Sequence, residues 1–268
     1  SSSGEDNGQV TIIGGSKLFH GAPLLSLKVA SRIVDMVFFA SPDPSVGKVA
    51  EQIKSKFFSF IWIPWEEIQN YIKKSDAVLI GPGFMRFGKE GTPEDQRGHE
   101  NHSEGNLTRE ITKNLLQKFS DKKWVIDAGS LQVMDPEWIP KNAILTPNQK
   151  EFEMLFGRNR TSVERVRKMA KKYKCTIVLK GVETIVCSPK ECVIVRGGNP
   201  GMTKGGTGDV QAGLTVALLA KNDPFLAAST ASYIVKAGAD RLYKKVGTNF
   251  SADDLTDSIP VILHNLVS

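Results

Sequence analysis

The sequence is short of long hydrophobic runs, cysteine and histidine. No apolar stretch nears the roughly 18 residues of a membrane-spanning helix, which argues against a span and against a membrane partner. The 268 residues hold three cysteines and four histidines. Cys175, Cys187 and Cys192 make no even disulfide framework and lie in strand-like runs, so they read as reduced, mostly buried thiols of a cytosolic protein. Cys187 and Cys192 enclose SPKE, but no second Cys or His pair stands at ligand spacing, which argues against zinc. The opening SSSGEDNGQ lacks the apolar core of a signal peptide, in keeping with a cytoplasmic location. No internal repeat and no low-complexity linker is present, which excludes solenoids and linked arrays.

Charge is present in slight positive excess, +6 at neutral pH. The basic residues cluster in stretches such as RVRKMAKKYK (165–174) without the interleaved aromatics of a single-strand binder. They read as solvated helix faces, and no nucleic-acid partner is expected. A binding module that has lost catalysis would account for the charge but would leave the acid and glycines described below unexplained.

Strand-like runs alternate with helical ones: QVTIIG, a helical 21–35, MVFFA, VGKVAEQIKSK, FFSFIWI, a proline-led PWEEIQNYIKK, AVLIG, LTREITKNLLQKF, KWVIDAG and AILT. PNQKEFEMLFG and SVERVRKMAKKY follow as helices. CTIVLKG, TIVCS and CVIVR read as three strands joined by short turns, and two or three helices close the chain. This alternation predicts one α/β domain over 1–268, with a mainly parallel sheet, helices on both faces and an antiparallel edge. A long polar stretch at 84–106 is too hydrophilic for a simple connection and reads as a mobile lid or insertion. His99 and His102 lie in it and read as solvated. His20 precedes the first helix, where it is placed to line a substrate mouth, and His264 reads as a surface residue of the last helix.

In open parallel sheets ligands bind at the carboxyl ends of the strands. GGS (14–16), GPG (81–83), DAGS (127–130), TPN (146–148) and KG (180–181) all fall at such ends. The densest motif is GGNPGMTKGGTGD (197–209), directly before the helical run VQAGLTVALLA. Glycine costs backbone entropy, so this density reflects either a flexible turn or close backbone approach to an anion at a helix N-terminus. Asp209, at that N-terminus, is either a helix cap or a base for a substrate hydroxyl, and the helix dipole favours its ionised form. Asn148 and Glu151 stand one turn apart at a helix start, suited either to a capping box or to a hydrated Mg²⁺. Lys180 is either solvated or aimed at a nucleotide phosphate.

The ordered set GGS…GAP, GPG, LTPN-x-x-E-F, LKG-x-x-T and GNPGMTKGGTGD resembles the NAD(P)H-hydrate dehydratase family over about 14–242. The most specific piece is GNPGM followed by GGTGDV-x-AG. The resemblance implies a ribokinase-like three-layer α/β sandwich. It also implies removal of water from the hydrated ring of NADH or NADPH at the expense of ADP or ATP, with Mg²⁺, in a homo-oligomer, a tetramer by family. It places Lys180, Gly181, Val182, Glu183, Thr184, Asn199, Pro200, Gly201, Met202, Thr203, Lys204, Gly205, Gly206, Thr207 and Gly208 on the nucleotide. Gly83, Asn148, Gln149, Lys150, Glu151, Phe152, Glu153, Met154 and Asp209 are placed on the hydrate, with Glu151 reaching the metal through water and Asp209 as catalytic base. The chain departs from many bacterial members, which carry histidine at Asn148 and DADAL in place of DAGSL (127–131). Asn148 is the residue expected of an ATP-using branch, while the remaining pattern leans to ADP. The alternative is a small-molecule kinase of the hydroxymethylpyrimidine type, which shares N-x-x-E and GxGD but is not expected to carry GNPGM.

Overall fold

The structure, a computed structural model, describes residues 6–87 and 98–267. Among the described residues nine strands form one sheet, in the order β3-β2-β1-β4-β5-β6-β7-β8-β9. β1 (Gln9–Ile13), β2 (Met36–Ala40), β3 (Ile61–Trp62), β4 (Ala77–Ile80), β5 (Lys123–Ile126), β6 (Ile144–Leu145) and β7 (Thr176–Leu179) pair in parallel. β8 (Thr184–Cys187) and β9 (Cys192–Val195) add the expected antiparallel edge.

The central strands are buried on both faces, which is why they read as continuous apolar runs. Alternate residues feed two cores. Phe38, Ile80, Trp124, Ile126 and Leu179 meet α3 (Ile68–Lys74), α4 (Gly98–Lys118), α6 (Gln149–Phe156) and α7 (Val163–Tyr173). Ile12, Phe39, Leu79 and Val125 meet α1 (Gly21–Ala30), α2 (Pro44–Ile53), α8 (Thr207–Leu219) and the start of α9 (Pro224–Val246). α10 (Ala252–Val267) packs outside α8 and α9 through Leu255 and Ile259. This is the mainly parallel sheet with helices on both faces that the alternation predicts, and the three-layer sandwich that the resemblance implies. Among the described residues no helix is long and apolar enough to cross a membrane.

Local departures have identifiable causes. FFSFIWI supplies only the two paired residues of β3, because it sits at the sheet edge with a single neighbour, β2. The segment after Asp127, unassigned as a helix from sequence, forms the short α5 (Ala128–Val133). α4 begins at Gly98 rather than at Leu107. Its polar, glycine-containing start has little helix propensity, but Gly105 lies against Phe87, where a Cβ would come within 2.6 Å of the ring, so packing overrides propensity. Of the insertion expected at 84–106, residues 88–97 lie outside those described. Phe84 and Met85, at its start, are buried.

The cysteine expectation needs one correction. Cys187 and Cys192 form a disulfide. The β8–β9 register sets them directly opposite each other, which counting cysteines could not reveal. Cys175 is a free, buried thiol as expected, and burial pushes its pKa up to about 12.

Candidate active site

The glycine-rich turn is bolted to its surroundings rather than loose. Gly206 caps α8 in the left-handed region at φ 95, where a side chain is strained. A Cβ there would also lie 2.5 Å from Leu25 Cδ1 and 2.8 Å from Ala252 Cβ. The Thr207 hydroxyl donates to the carbonyls of Met202 (2.7 Å) and Lys204 (3.0 Å), and Asn199 Oδ1 accepts from the Gly201 N–H at 3.0 Å. Helix α1 crosses α8 so closely that a Cβ on Gly213 would lie 2.4 Å from the Ser26 carbonyl oxygen. There the Ser26 hydroxyl donates to the Asp209 carbonyl at 2.7 Å. These contacts fix Asp209 in the first turn of α8, beside backbone N–H groups that have no partner within the helix.

Facing Asp209 are the carboxyl ends of β5, β6 and β7. Asp127, 2% exposed, follows β5 and accepts from Lys180 Nζ at 2.8 Å and from the Thr146 hydroxyl at 2.7 Å. Lys180 follows β7, and its main-chain N–H donates to the Pro147 carbonyl at 2.8 Å. A Cβ on Gly208 would lie 3.4 Å from Lys180 Nζ, so the ammonium sits against the turn before Asp209. Asn148 and Glu151 form a complete capping box at the start of α6, and Gln132 Nε2 donates to Glu151 Oε1 at 2.8 Å.

Three carboxylates thus surround one ammonium, with Asp127 and Glu151 buried and Asp209 and Lys180 half-buried. Burial, reinforced by Asp127 and Glu151 and opposed by Lys180, pushes the Asp209 pKa up to about 7. Burial raises Glu151 as well, with Lys180 opposing. Burial works against the charge on Lys180, but Asp127, Glu151 and Asp209 hold it above the ordinary lysine value. The helix dipole that favours an ionised Asp209 is outweighed. A carboxylate poised near neutrality suits proton abstraction. Among the described residues no group of three or more acids, histidines or cysteines is arranged to hold a metal directly. Both Glu151 oxygens already accept hydrogen bonds, from Gln132 and from the Asn148 N–H. The all-oxygen donor set fits a hard cation reached through water.

The other residues singled out in the sequence divide. Asn148, Lys150, Glu151 and Met154 line a cavity of about 120 Å³ with Arg86, Phe87 and Gln132. Gln149 and Glu153 bond each other on the exposed side of α6. Phe152 is fully buried and belongs to the core rather than to a substrate wall. Gly83, at φ 73, packs between strand-end loops, where a Cβ would lie 2.5 Å from the Phe19 carbonyl oxygen. Thr184 is buried in β8, Val182 is 94% exposed, and Glu183 pairs with Arg196 at 2.9 Å. Pro200, Gly201, Met202 and Thr203 form a short 3-10 turn, with Gly201 against the Phe250 ring, and the exposed Gly205 follows. His20 meets Ser45, Nε2 to Oγ 3.1 Å, while the side chains of His99 and His102 lie outside those described. Two groups in contact with this machinery were not among the candidate residues: Asp127, although DAGS marks a strand end, and Gln132.

Residues 10–261 match the sequence profile of the NAD(P)H-hydrate dehydratase family. The chain belongs to this family. It is 34% identical over 267 residues to the bifunctional NAD(P)H-hydrate repair enzyme Nnr of Methanocaldococcus jannaschii, covering 96% of this chain and 48% of that protein. It is 30% identical over 280 residues to the ADP-dependent (S)-NAD(P)H-hydrate dehydratase of Nitrosopumilus maritimus, covering 96% of this chain and 89% of that one. The chain therefore spans about half the length of the bifunctional relatives it matches and most of the single-function one. Among solved structures, an ADP/ATP-dependent NAD(P)H-hydrate dehydratase of Bacillus subtilis co-crystallised with ATP/Mg²⁺ superposes with TM-score 0.78 at 22% identity, covering 99% and 92% of the two chains. A ribokinase-like superfamily protein of Enterococcus faecalis gives 0.76 at 21% identity, covering 99% and 89%. These neighbours share with this chain the ribokinase-like α/β fold that the motif resemblance implies.

Proposed function

We propose that the protein dehydrates hydrated NADH or NADPH back to the dihydronicotinamide at the expense of ADP or ATP. The observation that carries this reading is Asp209, poised near pH 7 at the mouth of α8 between the glycine turn and Lys180. Family membership and the names of the N. maritimus and B. subtilis relatives support the substrate class. The glycine turn and the 180–184 segment bind the nucleotide phosphates, and the cavity at Asn148, Glu151 and Met154 takes the edge of the hydrated ring.

Asp209 removes the proton from the ring hydroxyl, whose oxygen attacks the terminal phosphoryl group as the bond to the nucleotide breaks. The C–O bond then breaks with its electron pair going to the departing phosphate, driven by the ring-nitrogen lone pair, and the neighbouring carbon gives a proton to that phosphate or to water, which restores the dihydropyridine. N–H groups at the start of α8 and the Lys180 ammonium stabilise charge on the moving phosphoryl group. Glu151 would hold Mg²⁺ through water, and the ion would supply positive charge to the phosphate oxygens. We assign ADP as the preferred nucleotide, with Asn148 the residue that argues for testing ATP beside it. We also place the enzyme in the cytoplasm as a homo-oligomer, a tetramer by family.

The test is incubation of the protein with hydrated NADH and either ADP or ATP, following return of the NADH absorbance band. No recovery with either nucleotide would end this reading, and clearly higher efficiency with ATP would overturn the ADP assignment. Consumption of ATP on a hydroxymethylpyrimidine, with hydrated NADH untouched, would establish the kinase alternative.

A further inference from the structure

Helix α9 carries a lysine in an otherwise small and apolar stretch, Ile234 to Ala239. Lys236 is only 5% exposed, and its ammonium donates to three main-chain carbonyls: Val182 at 2.6 Å, Gly197 at 2.8 Å and Gly181 at 3.3 Å. One helical turn later Asp240 accepts from the Gly198 N–H at 2.9 Å and from Asn199 Nδ2 at 3.1 Å. The carbonyls belong to two separate loops, one joining β7 to β8 and one following β9. The β8–β9 ladder stops at Thr184 opposite Val195, short of both loops.

A buried ammonium is costly unless every donor is satisfied. Packing alone would be served more cheaply by an apolar side chain of the same length. What the charge adds is orientation: a peptide plane anchored by its carbonyl presents its N–H on the opposite side. Lys236 thereby sets the peptide planes after Gly181, Val182 and Gly197, while Asp240 takes the Gly198 N–H that the last of these presents. Asn199, held by Asp240 at one end, accepts from the Gly201 N–H at the other, so the hold extends into the glycine turn. Room for this arrangement requires glycine, since a Cβ on Gly198 would lie 2.7 Å from Met202 Sδ and 3.3 Å from Lys236 Cγ.

We propose that Lys236 and Asp240 are positioning residues that lock the 181–182 and 197–199 loops into the geometry that binds the nucleotide. This rests on the reading of those loops as the nucleotide site. Neither side chain is assigned a contact with the reacting atoms.

The experiment compares wild-type protein with Lys236→Met, which keeps the length and removes the donors, and Asp240→Asn, which keeps the shape. In the second variant the amide oxygen could still accept from the Gly198 N–H, but the amide nitrogen would face that of Asn199. ADP and ATP affinity is measured by calorimetry, and steady-state rates are measured with hydrated NADH. In Lys236→Met the nucleotide Kd and KM are expected to rise at least about tenfold, the loss of one charge-assisted hydrogen bond or more. The KM for hydrated NADH and kcat at saturating nucleotide should stay within about threefold of wild type. Asp240→Asn should show the same split more weakly, and it carries the test alone if Lys236→Met does not fold. Lys236→Arg should recover part of the affinity. Unchanged nucleotide affinity in a folded variant, with only a lower Tm, would show a structural role and overturn the proposal. Equal losses in both substrates would overturn it too. If wild-type protein bound neither nucleotide, the nucleotide reading would fall and the clamp with it.

Discussion

Asp209→Asn separates the chemistry of the site from its architecture, and the structure fixes the direction of three effects. The carboxyl is raised from 3.8 to about 7, first by burial and then by Asp127 and Glu151. A folded-state pKa above the unfolded value means that the folded protein binds more protons between about pH 4 and pH 7. Stability is therefore greatest below the unfolded pKa and falls as pH rises through that window, levelling above about pH 7. Keeping Asp209 ionised at pH 8 costs up to about 4 kcal/mol by that shift. Because the residue is partly open to the cleft, about half of this is the working figure. Asparagine cannot ionise, so the variant should be more stable than wild type at pH 8 by about 2 kcal/mol, roughly 5 °C in Tm for a chain of this size. It should lose most of the slope between pH 5 and pH 8. Turnover of hydrated NADH should fall about 10² to 10⁴-fold, while nucleotide affinity holds or rises as a negative charge near the phosphates disappears. Thermal unfolding at pH 5 and pH 8, calorimetry with ADP and the absorbance assay read all three. Near-normal turnover would reduce Asp209 to a helix cap and refute the mechanism. Unchanged stability at pH 8 would refute the buried-acid account.

The remaining predictions use other parts of the same framework. In wild-type enzyme the acidic limb of kcat/KM should lie near pH 7, and Lys180→Met should move it upward, since Lys180 opposes the rise of Asp209. The same variant leaves Asp127 buried without its partner and should unfold about 3–5 kcal/mol more easily, as measured by denaturant titration. Gly206→Val places a branched side chain at φ 95 against Leu25 and Ala252; it should lose about 1–3 kcal/mol of stability and weaken nucleotide binding before kcat, read by Tm and calorimetry. Thiol titration of the unreduced, denatured protein should count one cysteine, Cys175. Three would refute the Cys187–Cys192 bridge, whose reduction should cost only about 2 kcal/mol because the loop it closes is short.

What the sequence disclosed and what it hid follow from the range of the physics involved. Strand ends followed by GGS, GPG, DAGS, TPN and KG were legible because local patterning dictates a parallel sheet, and a parallel sheet gathers its carboxyl ends on one side. The start of α8 was legible because glycines crowded before an apolar helical run have few other uses. Asp127 beside Lys180 was not legible, since the two are 53 residues apart and no local pattern carries a distance. Lys236 left a signal in its place within IVKAGA, but a lone lysine in a helix reads as solvated until its burial is known. Asn148 and Glu151 show why the two readings of a motif need not compete. The capping box forms, and it is what holds the buried Glu151 against Gln132. Phe152, which the motif resemblance places on the hydrate, faces the core because a helix turns successive side chains to different sides.

The division of labour in the cleft follows from its charge. Three carboxylates and one ammonium, if all ionised, leave a net negative site, into which the proposed mechanism brings an anionic nucleotide. The Asp209 pKa of about 7 relieves part of that repulsion, because its protonation is available near neutral pH at little cost, and burial shifts Glu151 in the same direction. Asp127 is tied to Lys180 and Thr146 and keeps the ammonium in place. The backbone N–H groups of the glycine turn supply positive character that does not titrate, while the second buried lysine, Lys236, has its ammonium on the Gly181, Val182 and Gly197 carbonyls. An arginine-lined pocket would bind the phosphates more tightly, but it would also hold Asp209 ionised, stabilise its charge and weaken it as a base. In the proposed mechanism the glycines and the distant Lys236–Asp240 pair are therefore parts of one solution: they would hold phosphate donors in position without placing another cation beside Asp209.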